Sequence, residues 1–163
     1  MCTDEKGVFH IKFKAKGKSA HGSRLWLGEN AIEKLITVYK NLKDEFNKQW
    51  GEVTKNDNWK PTINLGALNG GEAANQVPNS ATMLLDIRYP DPVKQDDLEK
   101  IVNKSLVKGV TWKAISTGTP LSIDINNKYL QKWLKVIDKK KFEKEHGASD
   151  ARFFAAKGMD CII

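Results

Sequence analysis

The chain has 163 residues, of which 40% are hydrophobic and 29% are charged, as in a soluble globular protein of one domain or little more. No apolar run is long enough to cross a bilayer and residues 1–6 lack the apolar core of a signal peptide, so we expect no membrane partner. The formal net charge is +7, but a solvated lysine-rich face explains it without a polyanion. Cys2 and Cys161 lack disulfide or metal-site spacing, which predicts free thiols and a cytoplasmic protein.

Hydrophobic periodicity divides the first two thirds of the chain into six elements. Residues 8–18 alternate with period two and predict a strand whose apolar side carries Phe9, Ile11, Phe13 and Ala15. Apolar residues three or four apart then predict a helix with a stripe of Ile32, Leu35, Ile36, Tyr39, Leu42 and Phe46. A polar loop over 50–60 is followed by predicted strands over 62–68, 81–89 and 109–117 and by a helix around 98–106.

The order strand, helix, strand, strand, helix, strand predicts an α+β fold of the ferredoxin-like βαββαβ type, with both helices on one face of an antiparallel sheet. The lysines of the first strand, with Asp86 and Arg88 of the third, are expected on the uncovered face. After Gly118 the pattern changes to an amphipathic helix over 126–142 and ends in an apolar run over 160–163, typical of a buried strand. We therefore expect one unit over 1–118 and part of a second over 119–163.

Short motifs along the chain carry a family resemblance. They are Gly17-Lys-Ser-Ala-His21-Gly-Ser, Leu27-Gly-Glu-Asn-Ala-Ile, Gly66-Ala-Leu-Asn-Gly-Gly, Asn75-Gln-Val-Pro-Asn-Ser-Ala, Leu85-Asp-Ile-Arg88-Tyr-Pro and Gly147-Ala-Ser-Asp-Ala-Arg152-Phe. In order and spacing the first five resemble the dimerisation, or lid, domain of the two-zinc exopeptidases and deacylases. That family includes carboxypeptidase G, acetylornithine deacetylase, succinyl-diaminopimelate desuccinylase, aminoacylase-1 and carnosinase. The sixth motif resembles a loop of the family's catalytic domain, so 119–163 is expected to be a partial catalytic domain.

The resemblance implies roles for five residues. His21 reaches the active site, often that of the partner subunit, and stabilises the oxyanion at the scissile carbonyl. Arg88 binds a substrate carboxylate with its planar fork, and Asn75 lies near the same pocket. Ser149 and Arg152 hold the end of the substrate. Structural roles stay open for each kind of residue: an exposed loop histidine, an arginine paired with a nearby aspartate, and a serine that caps a helix.

The resemblance also implies two zinc ions in the full-length enzyme, but none of the family's metal ligands matches a position of this chain. We therefore expect no metal site and no cofactor here, because two zinc ions need about four or more convergent ligands. The chain is expected to be a fragment of a zinc-dependent metallo-exopeptidase or N-acyl-amino-acid amidohydrolase that is inactive alone. The full enzyme would take a small peptide or N-acyl amino acid, and two lid domains would form a homodimer through an edge strand and a helix.

Two other functions stay open. A free-standing βαββαβ module that binds RNA is favoured by the net charge and the lysines of the open face. It is opposed by the absence of aromatic residues for base stacking from the uncovered side of the central strands, so we expect no nucleic-acid partner. A module that only homodimerises would share the fold and lack any part in catalysis.

Overall fold

Strands and helices alternate along the chain much as its periodicity predicts. The computed structural model describes residues 2–137, 141–159, 161 and 163. The elements are β1 (Cys2–Glu5), β2 (Gly7–Lys16), α1 (Ala31–Trp50), β3 (Thr62–Gly70), β4 (Ser80–Tyr89), α2 (Gln95–Ser105), β5 (Val110–Gly118), β6 (Leu121–Ser122), α3 (Lys128–Leu134), β7 (Glu143–Glu145) and α4 (Ala151–Ala155). The four strands predicted before residue 118 are confirmed to within two residues at each end.

The main sheet has the strand order β3-β4-β2-β5, and every neighbouring pair in it is antiparallel. Helices α1 and α2 pack against each other, and their buried residues join one core with the sheet. This is the strand order of a ferredoxin-like domain, so the predicted α+β fold is confirmed. None of the described helices is long and apolar enough to span a membrane.

The core forms between the helices and the side of the sheet that the period-two pattern marks as apolar. Phe9, Ile11 and Phe13 of β2 are fully buried and lie beside Ile87, Leu85 and Met83 of β4. Each such side chain contributes about 1.5–3 kcal/mol relative to an exposed one. The prediction for α1 was wrong at one position of its stripe. Ile36 is 39% exposed and Val38 is buried instead, because the helix buries Ala31, Leu35, Val38, Leu42 and Phe46.

A second, smaller sheet joins the two ends of the chain. Strand β1 lies at its centre, antiparallel to β6 and parallel to β7. Periodicity did not predict β1, because a strand of four residues is too short to show an alternating pattern. Strand β1 lies within the range 1–118 yet pairs with strands beyond residue 118, and the division into 1–118 and 119–163 stays a prediction.

The predicted helix over 126–142 was too long. Helix α3 spans only Lys128–Leu134, residues 138–140 lie outside the described part, and 143–145 form β7. Leu130 and Leu134 are buried, whereas Trp133 is 42% exposed and Val136 is 84% exposed. Packing of an apolar face supplies most of the stability of a short helix, so it ends where that packing ends. Of the apolar run predicted as a strand, Cys161 and Ile163 are not in a strand, and residues 160 and 162 lie outside the described residues.

Candidate functional site

A closed loop between β2 and α1 carries His21 at one end of the main sheet. We call this the distal end, where Lys16 of β2 pairs with Ser80 of β4. Lys18 and Glu29 exchange two backbone hydrogen bonds of 2.9 Å and close the loop. Asn30 then starts α1, because its side-chain oxygen accepts the N–H groups of the first turn at 2.9 and 3.3 Å. The loop is therefore held at its base.

A second segment fastens the His21 loop and brings Asn75 beside it. The Gly22 N–H donates to the carbonyl of Asn75 at 2.7 Å, and the Val77 N–H donates to the carbonyl of Ala20 at 2.9 Å. A Cβ atom added at Gly22 would lie 3.1 Å from the backbone of Asn75, so a larger residue would push the two segments apart by a few tenths of an ångström. The structure therefore brings two of the five predicted site residues together.

The ring of His21 is oriented by Ser23, which lies two residues further along the same motif and was not among the five predicted residues. Nδ1 lies 2.8 Å from the Ser23 hydroxyl and accepts the Ser23 N–H at 3.2 Å. Because an N–H donates to Nδ1, the neutral ring carries its proton on Nε2. His21 thus presents an N–H donor at the exposed end of its ring, which is the group that an oxyanion requires.

Three apolar side chains follow His21 in the same loop without cover from the described residues. Leu25, Trp26 and Leu27 form one turn of 3-10 helix and are 65%, 79% and 49% exposed. Contiguous apolar surface of this kind is typical of contact sites.

Arg88 lies on β4 at the opposite, proximal end of the sheet, where it pairs with Val8. Its Nε donates to Asp86 Oδ1 at 2.7 Å and its second terminal nitrogen donates to Asp86 Oδ2 at 3.2 Å. His10 Nε2 lies 3.1 Å from the same carboxylate. The guanidinium fork therefore engages a neighbouring aspartate in this structure, which matches the structural role left open by the sequence.

Ser149 and Arg152 also lie at the proximal end. The N–H and the hydroxyl of Ser149 both donate to Glu5 Oε2 at 2.9 Å. The side chain of Arg152 lies against Gly118, where a Cβ atom would come within 2.8 Å of it. Its Nε is buried and has no hydrogen-bond partner among the described residues. Sequence reasoning missed Glu5, because it contacts a serine 144 positions away.

A buried lysine joins this end of the sheet to the loop between α1 and β3. Lys6 is 1% exposed, and its Nζ donates to the carbonyls of Asn58 and Lys60 at 2.7 Å each. Burial lowers the pKa of Lys6 from 10.5 to about 8. Trp59 lies 5.5 Å from the Lys6 ammonium and 5.4 Å from the ring of His146. Burial, and then the charge of Lys6, lower the pKa of His146.

The five predicted residues therefore form two groups. His21 and Asn75 lie at the distal end, and Arg88, Ser149 and Arg152 lie at the proximal end. Eight steps along β2 lead from the Val8–Arg88 pair to the Lys16–Ser80 pair, so at about 3.4 Å per step these two ends of the sheet are roughly 27 Å apart. Among the described residues no three His, Cys, Asp or Glu side chains are placed to hold a metal ion, so these residues do not fit a zinc site.

Comparison with known proteins gives the same family for most of the chain. The sequence model of the peptidase dimerisation domain matches residues 3–110. A probable carboxypeptidase of Aspergillus clavatus is 35% identical over 116 residues, which cover 66% of this chain and 26% of that protein. A probable carboxypeptidase of Talaromyces marneffei is 30% identical over 131 residues, which cover 78% of this chain and 28% of that protein. The chain thus spans about a quarter of the length of these relatives.

Solved structures share the fold over nearly the whole chain. An aminopeptidase PepT from Bacillus cereus has a TM-score of 0.75 at 14% identity, covering 98% of this chain and 43% of that one. A tripeptidase from Staphylococcus aureus has a TM-score of 0.72 at 19% identity, with coverage of 98% and 43%. The similarity therefore includes the second sheet as well as the first.

Proposed function

The chain belongs to the peptidase dimerisation domain family, and we propose that it serves a zinc-dependent exopeptidase or N-acyl-amino-acid amidohydrolase. Its part is to join two subunits and to supply substrate-binding residues. The metal ligands would come from other parts of a longer protein, and the chain by itself is expected to be inactive. The matched parts cover only 26% and 28% of the probable carboxypeptidases that the chain resembles, which supports this division of roles.

The observation that carries the proposal is the exposed Nε2–H of His21. A hydrolase needs such a donor where the carbonyl oxygen of the substrate gains negative charge. Ser23 fixes the ring, and the contact with Asn75 fixes the loop, so the donor is oriented before a substrate arrives. Preorganised donors of this kind cost no rearrangement during the reaction.

The separation of the two groups supports a role for His21 in the partner subunit. The second sheet and the loop with Ser149 and Arg152 lie at the proximal end, where a catalytic domain would continue. His21 lies in the loop beyond the other end of β2, and that end is roughly 27 Å away. His21 is therefore too far from the proximal site of its own subunit. In a two-fold dimer, the distal end of each subunit would lie near the proximal site of the other.

We assign the dimer contact to the edge strand β3 and the adjoining flank of α1. The side chain of Ile32 lies against Gly70 at the end of β3, and Ile36 follows one turn later on the same flank, 39% exposed. The other edge strand, β5, has a bulge at Ile115 and continues directly into β6. A second copy on β3 would pair unsatisfied backbone groups and bury both copies of Ile36.

Sedimentation of the purified chain tests the dimer. We expect a dimer for the chain, and a loss of at least tenfold in its association constant for Ile36→Lys. Ile115→Lys is the matched control, since it makes the same change at an exposed isoleucine on the other edge. A chain that stays monomeric at all concentrations would refute the dimer. If only Ile115→Lys weakened the dimer, the contact would have to be assigned to β5 instead.

Activity and gene context test the catalytic part. The purified chain with added zinc is expected to release no amino acid from dipeptides or N-acetyl amino acids, and metal-dependent turnover would contradict the missing metal site. The DNA on both sides of the reading frame should encode an upstream His-x-Asp and Glu-Glu and a downstream His. Stop codons close on both sides would favour the second candidate, a module that only homodimerises.

A further inference from the structure

The loop between α1 and β3 reaches the junction of the two sheets, and we call its residues 51–60 the strap. The chain crosses from the second sheet to the main sheet at Lys6, between β1 and β2. Residues 51–58 of the strap are exposed, whereas 59 and 60 are half-buried. Lys6 donates to the carbonyls of Asn58 and Lys60 at 2.7 Å each, so the end of the strap is anchored over a buried ammonium. A segment with so few buried residues opens at a low cost in free energy.

The ring of Trp59 joins the strap to this crossing and to the second sheet. The Lys6 ammonium lies 5.5 Å from the centroid of the ring, and the ammonium of Lys144 in β7 lies 5.0 Å from it. The ring of His146, the first residue after β7, lies 5.4 Å from Trp59 at an angle of 71°. An aromatic face attracts ammonium groups within about 6 Å, so this one ring gathers groups from the crossing and from the second sheet.

A positive charge on His146 would disturb this cluster, because Lys6 and Lys144 already lie around the same ring. The acid next to the histidine, Glu145, uses its Oε1 to accept the Gly147 N–H at 3.1 Å. Burial, and then the charge of Lys6, lower the pKa of His146, and together they outweigh the charge of Glu145, which raises it. The closed strap therefore favours a neutral His146.

Strap closure is linked to the release of protons from both basic groups. The strap covers Lys6, and burial lowers the pKa of Lys6 to about 8. The strap's own acid Asp57 pairs with Lys60. Because the pKa values of Lys6 and His146 are both lowered in the closed arrangement, closure is favoured as the pH rises. The contribution of His146 is complete above its ordinary value of 6.5 and is lost as the pH falls below that value.

We infer that the strap is a pH-sensitive clasp between the two sheets, closed near neutral pH and open in acid. His146 is the group that opens it, because Lys6 is already charged throughout the acid range. Ser149 stays bound to Glu5 of β1 when the strap opens, since those hydrogen bonds do not involve the strap. An open strap therefore lets the second sheet move as a unit relative to the main sheet. This device goes beyond the proposed function, which uses neither Trp59 nor His146.

Proton NMR titration of the intact chain tests the coupling between the charges. The chain has three histidines, and the variant His146→Gln identifies the signal of His146. We expect Lys6→Met to move the titration midpoint of His146 upward, toward its ordinary value, because a repelling charge is removed. Lys14→Met is the matched control, since it removes an exposed lysine of β2 and should leave the midpoint of His146 in place.

A neutral gadolinium chelate, which broadens the NMR signals of accessible groups, tests the opening of the strap. The indole signal of Trp59, assigned with Trp59→Phe, should broaden more at about pH 5 than at about pH 7.5. The indole of Trp112 donates to Asn103 at 2.9 Å and is the internal reference, which should respond equally at both pH values. His146→Gln gains no charge in acid, so Trp59 should stay protected in that variant. His10→Gln removes a histidine that pairs with Asp86 instead and should keep the wild-type response.

Three results would each overturn the clasp. They are a wild-type midpoint of His146 at or above its ordinary value, equal broadening of Trp59 at the two pH values, and the same acid response in His146→Gln as in the wild type. Acid broadening of Trp112 equal to that of Trp59 would also overturn it, because the main domain would then be unfolding. The measurements involve neither turnover nor association, so their failure would leave the proposed function standing.

Discussion

The pH dependence of stability is set in part by one buried amine. Lys6 is 1% exposed and its pKa is lowered to about 8, against 10.5 in the unfolded chain. Between these two values the unfolded state binds more protons than the folded state, so the free energy of unfolding rises with pH. The stability gained is complete above 10.5, is lost progressively as the pH falls from 10.5 to 8, and is absent below 8. Lys6→Met removes this contribution, because methionine does not titrate.

The size of the effect follows from the folded and unfolded pKa values of Lys6. A tenfold change in a proton-binding constant corresponds to about 1.36 kcal/mol, and a single site with pKa values of about 8 and 10.5 gains roughly 2 kcal/mol between pH 7.5 and 9.5. Burial raises the pKa of Cys2 and of Tyr89, which acts in the opposite direction. Those contributions are shared by the wild type and the variant, so the difference between the two pH profiles isolates Lys6.

Urea unfolding followed by circular dichroism, at fixed protein concentration and half-unit pH steps, measures the difference. The wild-type profile should rise relative to Lys6→Met by roughly 2 kcal/mol across this range. The control is Lys14→Met, which removes an exposed lysine of β2 and should leave the wild-type profile unchanged. Parallel profiles for the wild type and Lys6→Met would refute the buried, destabilised ammonium. Whether Lys6→Met is more or less stable overall does not enter this comparison.

The remaining predictions concern the core and the loop that carries the candidate donor. Ile11→Ala should lower the free energy of unfolding by about 2–5 kcal/mol in denaturant titrations, because the side chain is fully buried, whereas Ile115→Ala should cost less than about 1 kcal/mol. Asn30→Ala should cost about 1 kcal/mol in the same titrations through loss of the helix cap, and full stability would contradict the cap. Gly17→Ala should speed amide exchange in the loop, because its Cβ atom would overlap a backbone carbonyl oxygen. Gly66→Ala meets only ordinary contacts and should not.

Local patterns were sufficient for most of the main sheet. The alternation of Phe9, Ile11 and Phe13 with polar residues predicted both the strand and the side that faces the core. The buried stripe predicted for α1 was right except at Ile36. That residue is exposed because it lies on the side of α1 next to a sheet edge, where no described residue packs over it. The short strand β1 was beyond prediction, since its partners are more than 110 residues away.

The sequence predicted which residues belong to the candidate site, but not how those residues are placed relative to one another. The motif around His21 and the motif that begins at Asn75 were each visible in the sequence, but their contact depends on backbone hydrogen bonds across the loop. Ser23 had the simplest signal, since it lies two residues after the histidine that it orients. The pairing of Arg88 with Asp86 follows from their places on one side of a strand, two residues apart.

Periodicity and motifs were enough to predict which residues form the main strands and helices, which side of each is buried, and which family the chain resembles. Those properties depend on neighbours along the chain. The positions of His21 and Arg88 at opposite ends of one sheet could be read only from the folded chain. The same holds for the two bulges, one in β3 and one in β5, that lie at one level of the main sheet. Both depend on strand register, which fixes residues far apart in sequence against each other through backbone pairing.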